Sequence, residues 1–167
     1  MRQVSLGIGA AILVIDLATK WFVKTYYLSV SYPILDGFFE IQYVENTGIA
    51  FGFLDSLESE WKAPMLGSLA VLAAVMVIYY IWITPQRERS SLVALGLILG
   101  GVMGNFIDRL LHTFVIDFIR IHWRELMAWP TFNVADSAIT SGVILFFVLN
   151  ILEAFKSKSA VGERRNL

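Results

Sequence analysis

The sequence predicts an all-α membrane protein with four transmembrane helices, a small extracytoplasmic β segment and a short interfacial helix. Of the 167 residues, 57% are hydrophobic and only 16% are charged. The mean hydropathy of +0.66 is too high for a domain that must cover its whole surface with polar side chains. Four apolar runs also approach the length of about 20 residues that a helix needs to cross the hydrocarbon layer.

These runs are interpreted as the spans of one integral membrane domain covering residues 1–167. The predicted spans are residues 4–23, 64–83, 91–107 and 134–152. The second and third spans contain no charged residue, whereas the first contains Asp16 and Lys20 and the fourth contains Asp136. The first run is too long and too charged for the apolar core of a cleavable signal peptide, so we interpret it as a retained helix.

Basic residues predict the orientation, because they collect on the cytoplasmic side of a membrane. Basic residues precede the first span, separate the second from the third and follow the fourth: Arg2, Arg87, Arg89, Lys156, Lys158, Arg164 and Arg165. The segment between the first two spans is acidic instead. Both termini are therefore predicted to be cytoplasmic.

The segment between the first two spans is too long and too aromatic for a simple connection. Residues 38–44 are rich in β-forming residues, with Gly37 before them and the turn sequence Asn46-Thr47-Gly48 just after. This pattern predicts a strand pair within an outer β segment of about residues 33–53. Residues 54–62 predict the short interfacial helix, with Trp61 at the level of the lipid headgroups.

Polar side chains from three spans are predicted to lie at one membrane level, near the outer surface. They are Asp16, Lys20, Asn105, Asp108, Arg109, Asn133 and Asp136. A charge at the bilayer centre costs about 2.5–3.5 kcal/mol even on mild scales, so this convergence indicates a site. In the third span, by contrast, the spacing of Gly96, Gly100 and Gly104 predicts close helix packing and no chemistry.

Some of these polar residues also have a purely structural explanation. Asp16 and Lys20 are four residues apart on one helix face, where they can neutralise each other. Asp108 and Arg109 can simply mark the end of the third span. These alternatives stay open beside a role in a functional site.

The fourth span begins with its own structural alternative. Asn133 is a good N-cap, and Asp136 falls at the third helical position, where a carboxylate suits the helix dipole. Capping does not explain Asp117, which interrupts the apolar run 115–119, a run typical of a short strand or a re-entrant edge. An unpaired acid in such a run is costly.

The two acids Asp117 and Asp136 suggest hydrolysis. Paired carboxylates activate a water molecule when one is ionised and acts as base while the other is protonated and acts as acid. The hypothesis is an aspartic hydrolase, which needs no cofactor. The chain has no cysteine, and the spacing of His112 and His122 fits no short metal-ligand motif, so no metal site is predicted. A net charge of −1 predicts no nucleic-acid partner.

Five sequence blocks together resemble the lipoprotein signal peptidases, or signal peptidase II, of the bacterial inner membrane. The blocks are DLATK at 16–20, NTGIAF at 46–51, GGVMGNFIDR at 100–109, VIDFI at 115–119 and FNVADS at 132–137. They cover nearly the whole chain, and in this order and spacing they are highly specific. Ile49 departs from the pattern, which usually has alanine there.

The resemblance implies an aspartic endopeptidase that removes the signal peptide of a prolipoprotein just before its diacylglyceryl-modified cysteine. Its catalytic pair would be Asp117 and Asp136. Matching the blocks gives the residues that would shape the pocket as Asn46, Asn105, Arg109, Asn133 and Ala135, and those that would support it as Asp16, Lys20 and Asp108. The resemblance also implies a β cradle beside the membrane, a multi-pass inner-membrane location, an active site toward the extracytoplasmic face, and membrane lipids as partners.

Two other classes of protein also have polar residues inside a membrane. A proton-coupled carrier also places acids inside a membrane, but it needs a polar path to the other side, and the inner half of each span is apolar. A scaffold whose polar residues only lock helices together explains Asp16 with Lys20, but not Asp117 and Asp136.

Overall fold

The computed structural model describes residues 1–28, 30–48, 61–124 and 126–165, and gives only the backbone of residues 154 and 156–165. Its elements are α1 (Arg2–Tyr26), β1 (Tyr32–Leu35), β2 (Phe39–Asn46), α2 (Lys62–Ile83), α3 (Arg89–His112), β3 (Val115–Trp123), β4 (Met127–Ala128) and α4 (Val134–Arg165). Most of the predicted interfacial helix at 54–62, namely residues 54–60, lies outside the described residues. Of its last two residues, Lys62 is the first residue of α2. Ile49 also lies outside them.

The four helices are long enough and apolar enough to cross a membrane, as the sequence predicts. The candidate spans are Arg2–Tyr26, Lys62–Ile83, Arg89–His112 and Val134–Glu153. The first and third predicted spans fall short of these bounds at both ends, the second starts two residues late, and the fourth ends one residue early. The reason is physical: an apolar run marks only the part of a helix that lies in hydrocarbon, whereas backbone hydrogen bonding continues into the polar flanks.

Helix α3 lies at the centre of the bundle and contacts α1, α2 and α4. Half of its apolar window is buried, compared with 17–22% for the other spans. The glycines of α3 allow this, because a Cβ added at Gly100 would lie 2.6 Å from the carbonyl oxygen of Gly9 on α1. A Cβ at Gly101 would meet the carbonyl oxygen of Ala135 on α4. The close helix packing predicted from the glycine spacing is therefore confirmed.

The end of the bundle that holds the chain's N-terminus has a largely apolar interior, with small buried hydroxyl side chains such as those of Ser5 and Ser91. Its core is a cluster on α2 and α3: Ala74, Ile81, Leu92, Leu95 and Leu99. Next to it, the guanidinium of Arg2 donates a 2.6 Å hydrogen bond to the carbonyl oxygen of Trp82. Within the described chain this cluster offers no polar path of the kind that a carrier requires.

At the opposite end, the strands form one antiparallel sheet in the order β1-β2-β3-β4. The predicted strand pair is β1 with β2, and Gly37 in their turn has a φ of +77°. The sheet is larger than predicted, because β3 pairs with β2 and places Asp117 opposite Val44. The same pairing sets Glu40 opposite Arg120, with 2.7 Å between carboxylate and guanidinium.

A return segment leads from β4 to α4 along the other edge of β3. Phe132 and Ile119 exchange backbone hydrogen bonds of 2.8 and 3.1 Å, and the backbone N–H of Trp129 donates to the carbonyl oxygen of Ile121. This pairing brings the first turn of α4 next to the part of β3 that carries Asp117. The fold thereby joins the two predicted acids, which lie on separate elements.

Candidate active site

A cavity of about 490 Å³ opens between α2, α3 and α4 at the end of the bundle that carries the sheet. Both predicted catalytic residues, Asp117 from β3 and Asp136 from α4, line it. Asn46, Asn105 and Arg109 line the same cavity. The structure therefore brings together five of the residues that the sequence singled out.

Asp117 is almost fully buried, with 1% of its surface exposed. Its Oδ2 atom accepts a 2.8 Å hydrogen bond from the amide of Asn46, and its Oδ1 atom accepts a 2.7 Å hydrogen bond from the amide of Asn133. Burial, together with the nearby charge of Asp136, raises the pKa of Asp117 to about 7, although the two amide hydrogen bonds lower it. Asp117 is thus able to hold a proton near neutral pH.

Asp136 and Asn133 cap the start of α4 reciprocally. The backbone N–H of Asp136 donates to Asn133 Oδ1 over 2.8 Å, and the backbone N–H of Asn133 donates to Asp136 Oδ2 over 3.3 Å. This is the geometry of a capping box. The capping explanation considered from the sequence is therefore confirmed, but the same carboxylate also faces the cavity.

Asn133 connects the two acids. Its side chain is fully buried, and it donates to Asp117 while it accepts from the backbone of Asp136. The other oxygen of Asp136, Oδ1, accepts a 2.7 Å hydrogen bond from the amide of Asn105. Each carboxylate therefore receives two hydrogen bonds, and one asparagine contacts both residues.

A buried ion cluster lies behind the cavity. The ammonium of Lys20 lies 2.7 Å from Asp16 Oδ2 and 2.9 Å from Asp108 Oδ2, and all three side chains are at most 5% exposed. The same ammonium donates a 3.0 Å hydrogen bond to Asn105 Oδ1. Asp16 and Lys20 do form the i,i+4 pair suggested from the sequence, and the pair is also joined to the cavity through Asn105.

Each carboxylate of this cluster also holds a backbone N–H next to a predicted catalytic residue. Asp16 Oδ1 accepts a 2.8 Å hydrogen bond from the N–H of Ala135, which precedes Asp136. Asp108 Oδ2 accepts a 3.1 Å hydrogen bond from the N–H of Ile116, which precedes Asp117. The cluster therefore positions the two backbone segments that present the acids.

Arg109 lies at the edge of the cavity and bridges two elements. Its guanidinium donates to the carbonyl oxygen of Gly48 over 2.9 Å and to that of Asn105 over 3.3 Å. Arg109 thus ties the segment after β2 to α3. The remaining predicted residues do not line the cavity, because Asn133 and Ala135 are fully buried behind its wall and Asp16, Lys20 and Asp108 lie in the ion cluster.

The sequence reasoning missed the long wall of the cavity. Three hydroxyl residues of α4, Ser137, Thr140 and Ser141, face Ala70 and Ala73 of α2 across it. A signal for the hydroxyl side was available, because these residues follow Asp136 at the spacing of one helical face. The small residues of α2 carried no such signal, since alanine is common in any apolar helix.

The family model described as signal peptidase (SPase) II matches residues 8–152. The chain belongs to the signal peptidase II family. It is 40% identical over 150 residues to a lipoprotein signal peptidase of Solibacter usitatus, covering 89% of this chain and 90% of that one. It is 38% identical over 149 residues to a lipoprotein signal peptidase of Francisella tularensis subsp. novicida, covering 88% of this chain and 92% of that one.

Solved structures agree with this membership of the signal peptidase II family. Two structures described as a bacterial membrane enzyme match with TM-scores of 0.79 and 0.77, each at 28% identity. They cover 93% and 88% of this chain, and in both cases 92% of the solved chain. The resemblance stated from the five sequence blocks is confirmed, and the protein is a peptidase of the aspartic type.

Proposed function

We propose that this protein removes signal peptides from prolipoproteins by cutting on the N-terminal side of a diacylglyceryl-modified cysteine. The relatives that match nearly the whole chain are named lipoprotein signal peptidases. The cavity supports the proposal, because it extends from the two acids along α4 between helices that are apolar enough to lie in the membrane. A peptide substrate that is itself embedded in the bilayer would enter such a space from the side.

Asp117 and Asp136 form the catalytic pair in this proposal. The raised pKa of Asp117 favours its protonated form. Asp136 lies in the first turn of α4, where the helix dipole and the donors Asn105 and Asn133 stabilise negative charge. The observation that carries the proposal is that Asn133 donates hydrogen bonds to both carboxyl groups, from its side-chain amide to Asp117 and from its backbone N–H to Asp136.

The reaction follows from these two protonation states. Ionised Asp136 takes a proton from water, the water oxygen attacks the scissile carbonyl carbon, and Asp117 gives its proton to the carbonyl oxygen. The tetrahedral intermediate then collapses, the C–N bond breaks, and Asp136 returns its proton to the leaving nitrogen while Asp117 recovers one from the diol. The pair ends in the state in which it began.

The proposed location is the bacterial inner membrane, with both termini cytoplasmic and the active site at the extracytoplasmic face. The positions of the basic residues support this orientation. The sheet supports a position at the membrane surface, because large apolar side chains such as Ile34, Leu35 and Met127 are more than half exposed. A sheet with such a surface is suited to act as the cradle that the family resemblance implies.

The proposal is tested by incubating the purified protein in detergent with a diacylglyceryl-modified prolipoprotein and following the release of the signal peptide on gels. Cleavage is expected with the parent protein and is expected to be lost with Asp117→Asn and with Asp136→Asn. Asp36→Asn, in the exposed turn between β1 and β2, is the matched control and should keep full activity. Cleavage by either active-site variant, or no cleavage by the parent, contradicts the proposal.

A further inference from the structure

A second groove runs along the outside of α3, beside the catalytic cavity. It has a volume of about 540 Å³ and lies between one face of α2 and one face of α3. The α2 side consists of Ala63, Pro64, Gly67, Ser68 and Val71, and the α3 side includes Phe106 and Leu110. Nothing in the proposed reaction uses this groove.

The groove is open where Gly67 lies on α2. A Cβ added at Gly67 would have no heavy atom within 4 Å, whereas one added at Gly100 or Gly142 would collide with the neighbouring helix. Its walls are largely apolar, so membrane hydrocarbon is a better occupant than water. The missing side chain at Gly67 therefore leaves room for a flexible apolar group between α2 and α3.

The dimensions of the groove suit a single acyl chain. From Ala63 to Val71 the α2 wall rises about 12 Å, at about 1.5 Å per residue. One leaflet of hydrocarbon is about 15 Å deep, half of about 30 Å. The groove thus runs parallel to the lipid chains of the leaflet on the sheet side and takes up most of its depth.

The groove borders the catalytic cavity at Arg109, which lines both spaces. A molecule with its scissile bond at Asp117 and Asp136 and a lipid chain in the groove would therefore contact Arg109 from both sides. The substrate of the proposed function carries its scissile peptide bond and its acyl chains on one residue, so it suits two neighbouring spaces that share a lining side chain.

We propose that this groove binds one acyl chain of the substrate's diacylglyceryl group and so positions the modified cysteine at the catalytic pair. This inference rests on the proposed function, because it assigns a binding site to part of that substrate. It predicts that the length of the acyl chain, as well as the presence of the lipid, determines the affinity for the substrate.

The test fills the groove and varies the acyl chain. Gly67→Leu should lower kcat/KM for a dipalmitoyl prolipopeptide at least tenfold, mainly through KM, and leave the slower cleavage of a diacetyl analogue unchanged. Gly7→Leu is the matched control, since a Cβ at Gly7 on α1 also meets nothing within 4 Å and lies outside both spaces. Ser68→Leu is a second filling variant in case Gly67→Leu does not fold.

The outcomes separate this inference from the proposed function. If the parent protein cleaves neither lipopeptide, the proposed function itself fails. If the parent cleaves both equally well, or if both filling variants lower the two rates to the same extent or not at all, the groove holds only bulk lipid and the assignment is wrong. A filling variant that is impaired selectively toward the long-chain substrate supports it.

Discussion

The ammonium of Lys20 lies 3.0 Å from the side-chain oxygen of Asn105, to which it donates a hydrogen bond. The amide nitrogen of the same Asn105 donates to Asp136. A positive charge bound to the oxygen of an amide makes its N–H groups better donors, because hydrogen bonds in a chain polarise one another. Lys20 therefore supports negative charge on Asp136 without touching it.

Replacing Lys20 by methionine should remove most activity and much of the stability. The variant leaves Asp16 and Asp108 buried without their cation, and loss of one partner of a buried ion pair costs about 3–5 kcal/mol. Lys24→Met, one turn along α1 and only partly buried, should have little effect on either property. Cleavage rates and thermal unfolding in detergent measure both effects. Near-parental values for Lys20→Met would limit the ion cluster to a minor role.

Activity should fall as the pH rises above about 7, because Asp117 then loses the proton that we propose it donates to the substrate. The stability of the folded protein should begin to change at a lower pH than the activity does. The pKa of Asp117 is raised from about 4 in the unfolded chain to about 7 in the folded protein, so its contribution to stability is complete below pH about 4 and is lost as the pH rises to about 7. Initial rates and melting temperatures across this range test both statements. The melting temperature of the Asp117→Asn variant should not show the decrease between pH about 4 and about 7 that comes from this carboxyl group.

Arg109→Lys should impair cleavage severely although it keeps the charge. The guanidinium contacts the carbonyl oxygens of Gly48 and Asn105 with two separate nitrogens, and a single ammonium cannot copy this planar fork. The expected change is at least tenfold in kcat/KM, measured with the lipid-modified precursor. Arg120→Lys on β3, whose guanidinium is partly exposed, is the comparison variant and should remain active. Normal turnover by Arg109→Lys would return Arg109 to the role of a residue that only marks the end of a span.

Gly104→Ala should destabilise the bundle by about 1–3 kcal/mol, the usual cost of an extra methyl group in a packed interior. A Cβ at this position would collide with Asp16 Oδ2 and come within 3.3 Å of the Ala135 side chain. Gly7→Ala, which meets nothing, should leave stability unchanged or raise it slightly, since alanine favours helix formation. The melting temperatures of the two variants, measured in the same detergent, test this expected difference in stability. Equal values would mean that α1 and α4 can move away from α3 at low cost.

Cysteine labelling tests the orientation in the membrane. Ser31→Cys, before β1, and Ser90→Cys, in the first turn of α3, are both exposed in a chain that has no natural cysteine. An impermeant thiol reagent applied to intact spheroplasts should label position 31 and leave position 90 unlabelled. Labelling after lysis shows that both thiols are reactive. The reverse pattern would place the active site on the cytoplasmic face.

The sequence predicted the parts of this protein that depend on composition and local spacing. The four spans follow from hydropathy alone, and the packing face of α3 follows from glycines four residues apart. Asn133 was identified as a helix cap because capping is a local interaction. In each case the physical cause lies within a few residues of the feature that it predicts.

Features that depend on distant pairing were harder to predict. The position of β3 beside β2 requires contacts such as Glu40 with Arg120, and nothing local to 115–123 specifies that register. The small residues Ala70 and Ala73 gave no sign that they face a cavity, because their role depends on where α4 lies. The second contact of Asp16, with the backbone N–H of Ala135, likewise appears only when the helices are assembled.

The reciprocal cap between Asn133 and Asp136 has a consequence for biosynthesis. The start of α4 is made after the other three helices, and its first turn is completed by the same carboxylate that is proposed to act as the base. Asp117 also lacks one of its two amide donors until Asn133 arrives. A partly synthesised chain therefore contains neither a formed catalytic pair nor the wall of α4 that faces α2. In the proposed mechanism the last helix to enter the bundle supplies the base, its cap and one side of the substrate cavity together, so activity begins only when synthesis of the bundle is nearly complete.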